Sequence, residues 1–216
     1  MSKDRILLIT AHLDDFELGM GGTAIKLCEH HEVSLIVLCK GNRPGVTEVQ
    51  NARKVACVKN CNQIGIENTM FYEYSDTYLD QIAQTELCGL LYDIINKIKP
   101  TIVYTHNAND VHMDHRIVSN ITRVACRMRE SSPVNKLYEF TVPGSTEWSH
   151  VPSTFNVYSD ITDQSEQKME MINRYETELR QSPDPISGPM IKARDVYHGS
   201  LSGYKVAEVF NLIFQR

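Results

Sequence analysis

Several features that would assign a class at a glance are missing from this sequence. No stretch reaches the roughly 18 uninterrupted apolar residues that a membrane span needs. No basic run exceeds a dipeptide and the formal net charge is −5, which disfavours nucleic acid as a partner and suits a small polar or neutral ligand better. The first residues pass from Met-Ser-Lys-Asp-Arg straight into a strand-like run, without the basic, apolar and small-residue succession of a signal peptide, so a cytoplasmic protein is expected. The six cysteines (28, 39, 57, 61, 88 and 126) contain no C-x-x-C spacing and read as buried free thiols in a reducing compartment. Cys57 and Cys61 would share a helix face, but two ligands do not close a structural metal site. Internal repeats and low-complexity tracts are also lacking, and 216 residues suit a single domain spanning 1–216 with a core that needs no staples.

What the chain does have is an apolar run, Ile6-Leu7-Leu8-Ile9, that ends in His12-Leu13-Asp14-Asp15-Phe16-Glu17. Such a run suits a strand covered on both faces of a parallel sheet, and its carboxyl end is the rim where open α/β sheets place ligands. Leu18, Ile25 and Leu27 follow at helical spacing, which makes the polar cluster a strand-to-helix turn. Adjacent carboxylates repel unless a cation or a proton relieves them. A histidine three positions before Asp15 adds a nitrogen ligand, a mixture suited to zinc and other transition metals. A plainer reading makes Asp14 the cap of the following helix, with Asp15 and Glu17 favouring its positive end.

Further along, Val33 to Cys39 repeats the buried-strand pattern and breaks at Lys40-Gly41-Asn42-Arg43-Pro44-Gly45. Helical rhythm is expected over 47–64, a short strand over 70–74, and an amphipathic helix over 79–98 closed by Pro100. The strand 101–105 runs into His106-Asn107-Ala108-Asn109-Asp110-Val111-His112-Met113-Asp114-His115, and helical spacing resumes from Arg116. Two strand-to-helix turns thus carry His and Asp together. Strands are expected at 137–142, 155–158 and 206–214, a helix at 164–179, and a loop at 181–189. His106 reads as a solvent-facing or hydrogen-bonding residue, and His30-His31 as a solvated helix end. Trp148 lies in a loop long enough to reach the site, as an aromatic platform for a sugar ring or as a core plug.

Ala11-His12-Leu13-Asp14-Asp15 with Glu17 and Gly21-Gly22-Thr23, together with His112-Met113-Asp114-His115, resembles the PIG-L/LmbE family of metal-dependent N-deacetylases, whose signatures are A-H-P-D-D and H-x-D-H. Arg53 ahead of Ile64-Gly65 and Ala207-Glu208-Val209-Phe210 extend the likeness. Leu13 replaces the usual proline, and Ala56 stands where a glutamate often follows the arginine. The resemblance implies a Rossmann-like α/β domain, mostly parallel with helices on both faces, and Zn2+ (Fe2+ is the alternative) held by His12, Asp15 and His115 with a position left for water. It also implies Asp14 as general base and His112 as the group that polarises the scissile carbonyl. Asp114 would orient one of the two histidines, and Arg53, Arg43 and Trp148 are candidate substrate contacts. Three protein ligands plus water is the pattern of catalytic rather than structural zinc. The expected substrate is a small N-acetylated sugar. Rivals are hydrolysis of another acyl amide and a sugar- or nucleotide-binding protein without turnover.

Overall fold

The computed structural model describes residues 3–41, 48–149, 151 and 154–216, with the side chains of 48–50 left aside. Strands β1 (Arg5–Thr10), β2 (Glu32–Cys39), β3 (Asn68–Tyr74), β4 (Ile102–His106), β5 (Lys136–Phe140), β6 (Val157–Asp160) and β7 (Ala207–Gln215) form one sheet in the order β3-β2-β1-β4-β5-β7-β6. The pairs from β3 through to β5 are all parallel, whereas β7 runs antiparallel to both β5 and β6.

Side-chain alternation divides β1 between two cores. Ile6 and Leu8 pack on one face with residues of α1 (Asp15–His30) and α2 (Glu48–Ile64), while Leu7 and Ile9 face α3 (Gln84–Ile98) and α4 (Met113–Ala125). All four are fully buried, as a central parallel strand requires. The chain order reverses between β1 and β4. These are adjacent strands whose connections leave in opposite directions, and a crevice opens at such a switch point.

Helix α1 is not continuous. Met20 departs from helical geometry (φ −150°, ψ 24°), which leaves the amides that follow without their helical acceptors. The Glu208 carboxylate of β7 accepts from Gly22 N at 2.9 Å and Thr23 N at 2.7 Å, in effect capping the second half of the helix. Lys168 on α5 (Ser165–Ile172) neutralises it, with Nζ 2.9 Å from Glu208 Oε1 and 2.6 Å from Asp195 Oδ2.

The structure departs from sequence expectation mainly near the C-terminus. A helix α6 (Gly188–Ser202) occupies a stretch where periodicity gives no helix, and α5 ends at Ile172 rather than 179. The expected helix 79–98 is a 3-10 turn at Leu79–Gln81 followed by α3. Asn42 to Thr47, including Arg43, lies outside the described residues.

Candidate metal centre

The turn after β1 and the loop after β4 meet at the rim. His12 Nδ1 stands 3.2 Å from His115 Nε2 and 3.5 Å from Asp15 Oδ2, and His115 Nε2 is 3.3 Å from Asp15 Oδ1. Donors on a tetrahedral ion with bonds of about 2.0–2.1 Å are spaced by about 3.3 Å, and each pair among the three approaches at about that spacing, Asp15 through a different oxygen toward each ring. Two overlapping groups, His12–His112–His115 and Asp15–His106–His115, also bring their donor atoms within 4.8 Å of one another. The donor set of imidazoles and carboxylate, buried and, among the described residues, without a lysine or arginine on Asp15, suits a divalent transition metal.

Charge in the pocket is shared among histidines and carboxylates. Despite burial, the rings of His115, His106 and His12 hold Asp15 well below the usual carboxylate range. Burial opposes the charging of His115, yet Asp15 and Asp110 lift it to about 9. His12 is likewise raised against burial, by Asp15 and Asp114. Burial, reinforced by His12 and His115, pushes His112 down to about 4, so this ring is neutral at pH 7. Protons here do the balancing that a cation would otherwise do.

Each neighbouring group has a definite place. Asp14 precedes α1 but makes no side-chain cap bond, so the capping reading fails. Its Oδ1 instead accepts from Arg53 Nη2 at 3.0 Å. Arg53 is 9 % exposed, donates to Gly41 O, and also faces Asp76 at 3.6 Å and Glu178 at 3.5 Å. It therefore grips Asp14 rather than standing free in the crevice. His112 caps α4: its Nδ1 accepts from Asp114 N at 3.3 Å, which puts the proton of the neutral ring on Nε2. The Asp114 carboxylate lies against His12 Nε2 at 3.1 Å and also accepts from Thr77 N at 2.6 Å, so it orients His12. Trp148 is 71 % exposed and is no core plug.

Some participants are not identified by sequence reasoning. His106 is fully buried rather than solvent-facing; it stacks on His115 with ring centres 4.0 Å apart and accepts from Ala11 N at 2.9 Å. That bond engages Nε2, while Nδ1 has no partner among the described residues. Asp110 sets Oδ2 3.1 Å from His115 Nδ1 and accepts from Thr146 Oγ1 and Ser145 Oγ. Its position two residues before His112 was the available signal. On the far side of the turn, Tyr175 Oη lies 2.7 Å from both Leu13 O and Glu17 Oε1. The phenolic hydrogen is shared between these two acceptors, Asn60 Nδ2 also donates to Glu17 Oε1 at 2.8 Å, and burial holds the Glu17 carboxyl well above its usual range.

The profile of the family described as PIG-L, GlcNAc-PI de-N-acetylase, matches residues 7–126. A protein of Escherichia coli (strain K12) described as an uncharacterized deacetylase, YaiS, is 30% identical over 162 residues, 69% of this chain and 80% of that protein. Among solved structures, the N,N'-diacetylchitobiose deacetylase of Pyrococcus horikoshii superposes with a TM-score of 0.78 at 21% identity, covering 97% of this chain and 84% of the other. The zinc-inhibited form of teicoplanin deacetylase Orf2 gives 0.74 at 14% identity, with 95% and 96% covered. At these identities the two structures establish the fold.

Proposed function

The chain belongs to the PIG-L family, and from that premise we propose that it is a metal-dependent hydrolase that removes the N-acetyl group from an N-acetylated amino sugar or its conjugate, releasing acetate and a free amine. The observation that carries the reading is the pairwise approach of His12, Asp15 and His115 at 3.2–3.5 Å, with Asp14 adjoining Asp15 in sequence and, among the described residues, bonded through Oδ1 to Arg53. Zinc is the assigned metal, and Fe2+ is the alternative that metal analysis distinguishes.

An ion held by those three residues would supply Lewis acidity, lowering the pKa of a water at the site to about 7. The remaining work falls to the chain. Asp14 accepts the proton of the attacking water and later delivers it to the departing nitrogen. Arg53, bonded to one oxygen of Asp14, holds that carboxylate in place. His112, neutral and protonated on Nε2, donates to the oxygen of the carbonyl as negative charge builds there, a contribution on the order of 3 kcal/mol. Asp114 and Asp110 hold the outer edges of His12 and His115, so that their inner nitrogens face one point.

The deciding experiment is Asp14→Asn. Acetate release from N-acetylglucosamine conjugates should fall by about 10²–10⁴ while bound metal, measured by elemental analysis, stays at the wild-type level. Undiminished turnover would remove Asp14 from its role. Release of a larger acid from other acyl amides, with none from acetylated sugars, would shift the assignment to another amide.

A further inference from the structure

A cleft of about 440 Å³ lies at the far end of α1 from the metal-donor cluster, walled by the second half of that helix and by β4, β5, β6 and β7. Its size is within the range of pockets that take small ligands. The wall on α1 begins at Thr23, about 12 Å along the helix axis from Asp15, and among the described residues none of the metal centre lines it. Aromatic rings form its floor. Tyr104 and Tyr138 stack with centres 4.9 Å apart, and Phe210 meets Tyr104 edge-on at 5.4 Å. Tyr158, on the edge strand β6, adds a further phenol.

Two hydroxyls of this wall are buried without a partner among the described residues. Thr23 gives its backbone N–H to Glu208, yet its Oγ1 bonds nothing. Tyr104 is 7 % exposed and its Oη likewise makes no hydrogen bond. Burial, with Tyr138 and Glu208 nearby, holds that phenol above its usual range, so it stays protonated and able to donate. Buried donors left unbonded cost stability, and a ligand that enters the cleft can bond the one on its floor. Fixed charge is not spare here: Lys26 is the only lysine or arginine among the described wall residues, its Nζ is held by Asp160 O at 2.6 Å, and the carboxylates of Glu29 and Asp160 outnumber it. An anion therefore finds no free cation. Stacked rings with unbonded hydroxyls suit a flat, uncharged ring that has hydrogen-bonding groups on its edge. We propose that this cleft is a second binding site, for a neutral heteroaromatic ring of the purine type, with its face on the aromatic floor and its edge on Tyr104 Oη. The site depends on neither the metal nor the deacetylase reading.

Metal-loaded protein is titrated with adenine in a calorimeter, and saturable binding is expected. Tyr104→Phe removes the hydroxyl and keeps the ring, and should weaken binding by about fivefold to tenfold. Tyr138→Leu, at a half-buried floor position, should weaken it by about tenfold or more. Adenine has ring nitrogens that could ligate a metal, so the titration is repeated on Asp15→Asn, which should bind the base as the wild type does. Adenosine 5′-monophosphate, the same base with an anionic group, should bind more weakly than adenine, and cyclohexanol, a saturated ring with a hydroxyl, should not bind measurably. No saturable binding, binding lost in Asp15→Asn, or binding that neither tyrosine variant alters overturns the site; equal or tighter binding of the monophosphate or of cyclohexanol overturns its ligand class. Adenine carries no acetamide, so these results are independent of the acetate released by Asp14→Asn.

Discussion

Two buried charge clusters flank helix α1, and they resolve the cost of burial in opposite ways. Behind the helix, Asp195 and Glu208 surround Lys168, which is 1 % exposed, and the backbone amides of Gly22 and Thr23 complete the set. That cluster brings its own cation. At the rim, Asp15, Asp110 and Asp114 meet imidazoles, hydroxyls, backbone N–H groups and the Cys39 thiol; among the described residues neither lysine nor arginine pairs with any of the three. Buried charges must be paired or must coordinate a metal. The first cluster is neutralised within the fold, whereas the carboxylates at the rim rely on imidazoles, the arrangement from which the metal site is proposed.

The contrast is tested most severely by removing the central member of each cluster. Lys168→Met leaves two carboxylates without their cation, a loss of about 3–5 kcal/mol, which for a chain of this size lowers Tm by about 10 °C; calorimetry should show this with or without chelator. Asp15→Asn should do the reverse: metal content falls to background and turnover with it, while the chelated variant melts near the chelated wild type. If chelation destabilised both variants alike, the division between the clusters would collapse. A smaller effect is expected of Arg53→Gln, which frees Asp14 but spares the donors: kcat drops by about 10–100-fold with metal content and KM little changed. A tenfold rise in KM with constant kcat would instead return Arg53 to the substrate.

The smallest effect concerns pH and the self-neutralised side. Burial, with Arg194 and Lys168 nearby, holds His198 at about 4, whereas in the unfolded chain it titrates near 6.5. The unfolded state therefore binds more protons between these values, and the contribution of a neutral His198 is complete above about pH 6.5 and lost as pH falls toward 4. His198→Gln should flatten the fall in stability across that window, as followed by urea unfolding at stepped pH. An unchanged slope would mean that the ring is already charged in the fold.

Much of this architecture is legible in the sequence because a parallel strand buried on both faces leaves an uninterrupted apolar run, as at Ile6–Ile9, and such a run cannot hide where it stops. The motifs at those stops carry the family resemblance, and it is that resemblance, not the punctuation, that implies His12, Asp15 and His115 as donors. Helix α6 is hidden for the opposite reason. It buries Asp195 against Lys168 and His198 against Phe155 beside Ile191, while Val196, Tyr197 and Leu201 are exposed, so polar and apolar residues are mixed on both faces and no ordinary amphipathic pattern shows. Of the two readings of His106, the hydrogen-bonding one holds and the solvent-facing one does not; a single histidine at a strand end gives no hint that its nitrogen will accept from an amide 95 residues away. Arg53 was read as a substrate contact because its partners, Asp14, Asp76 and Glu178, come from three separate stretches that only tertiary structure unites.

The turns that carry His12, Asp15 and His115 hang from β1 and β4, two adjacent strands at the centre of the sheet, whereas residues 141–149 and α6 lie beyond β5 in the chain. Substitutions in those later stretches would leave the two central turns as they are.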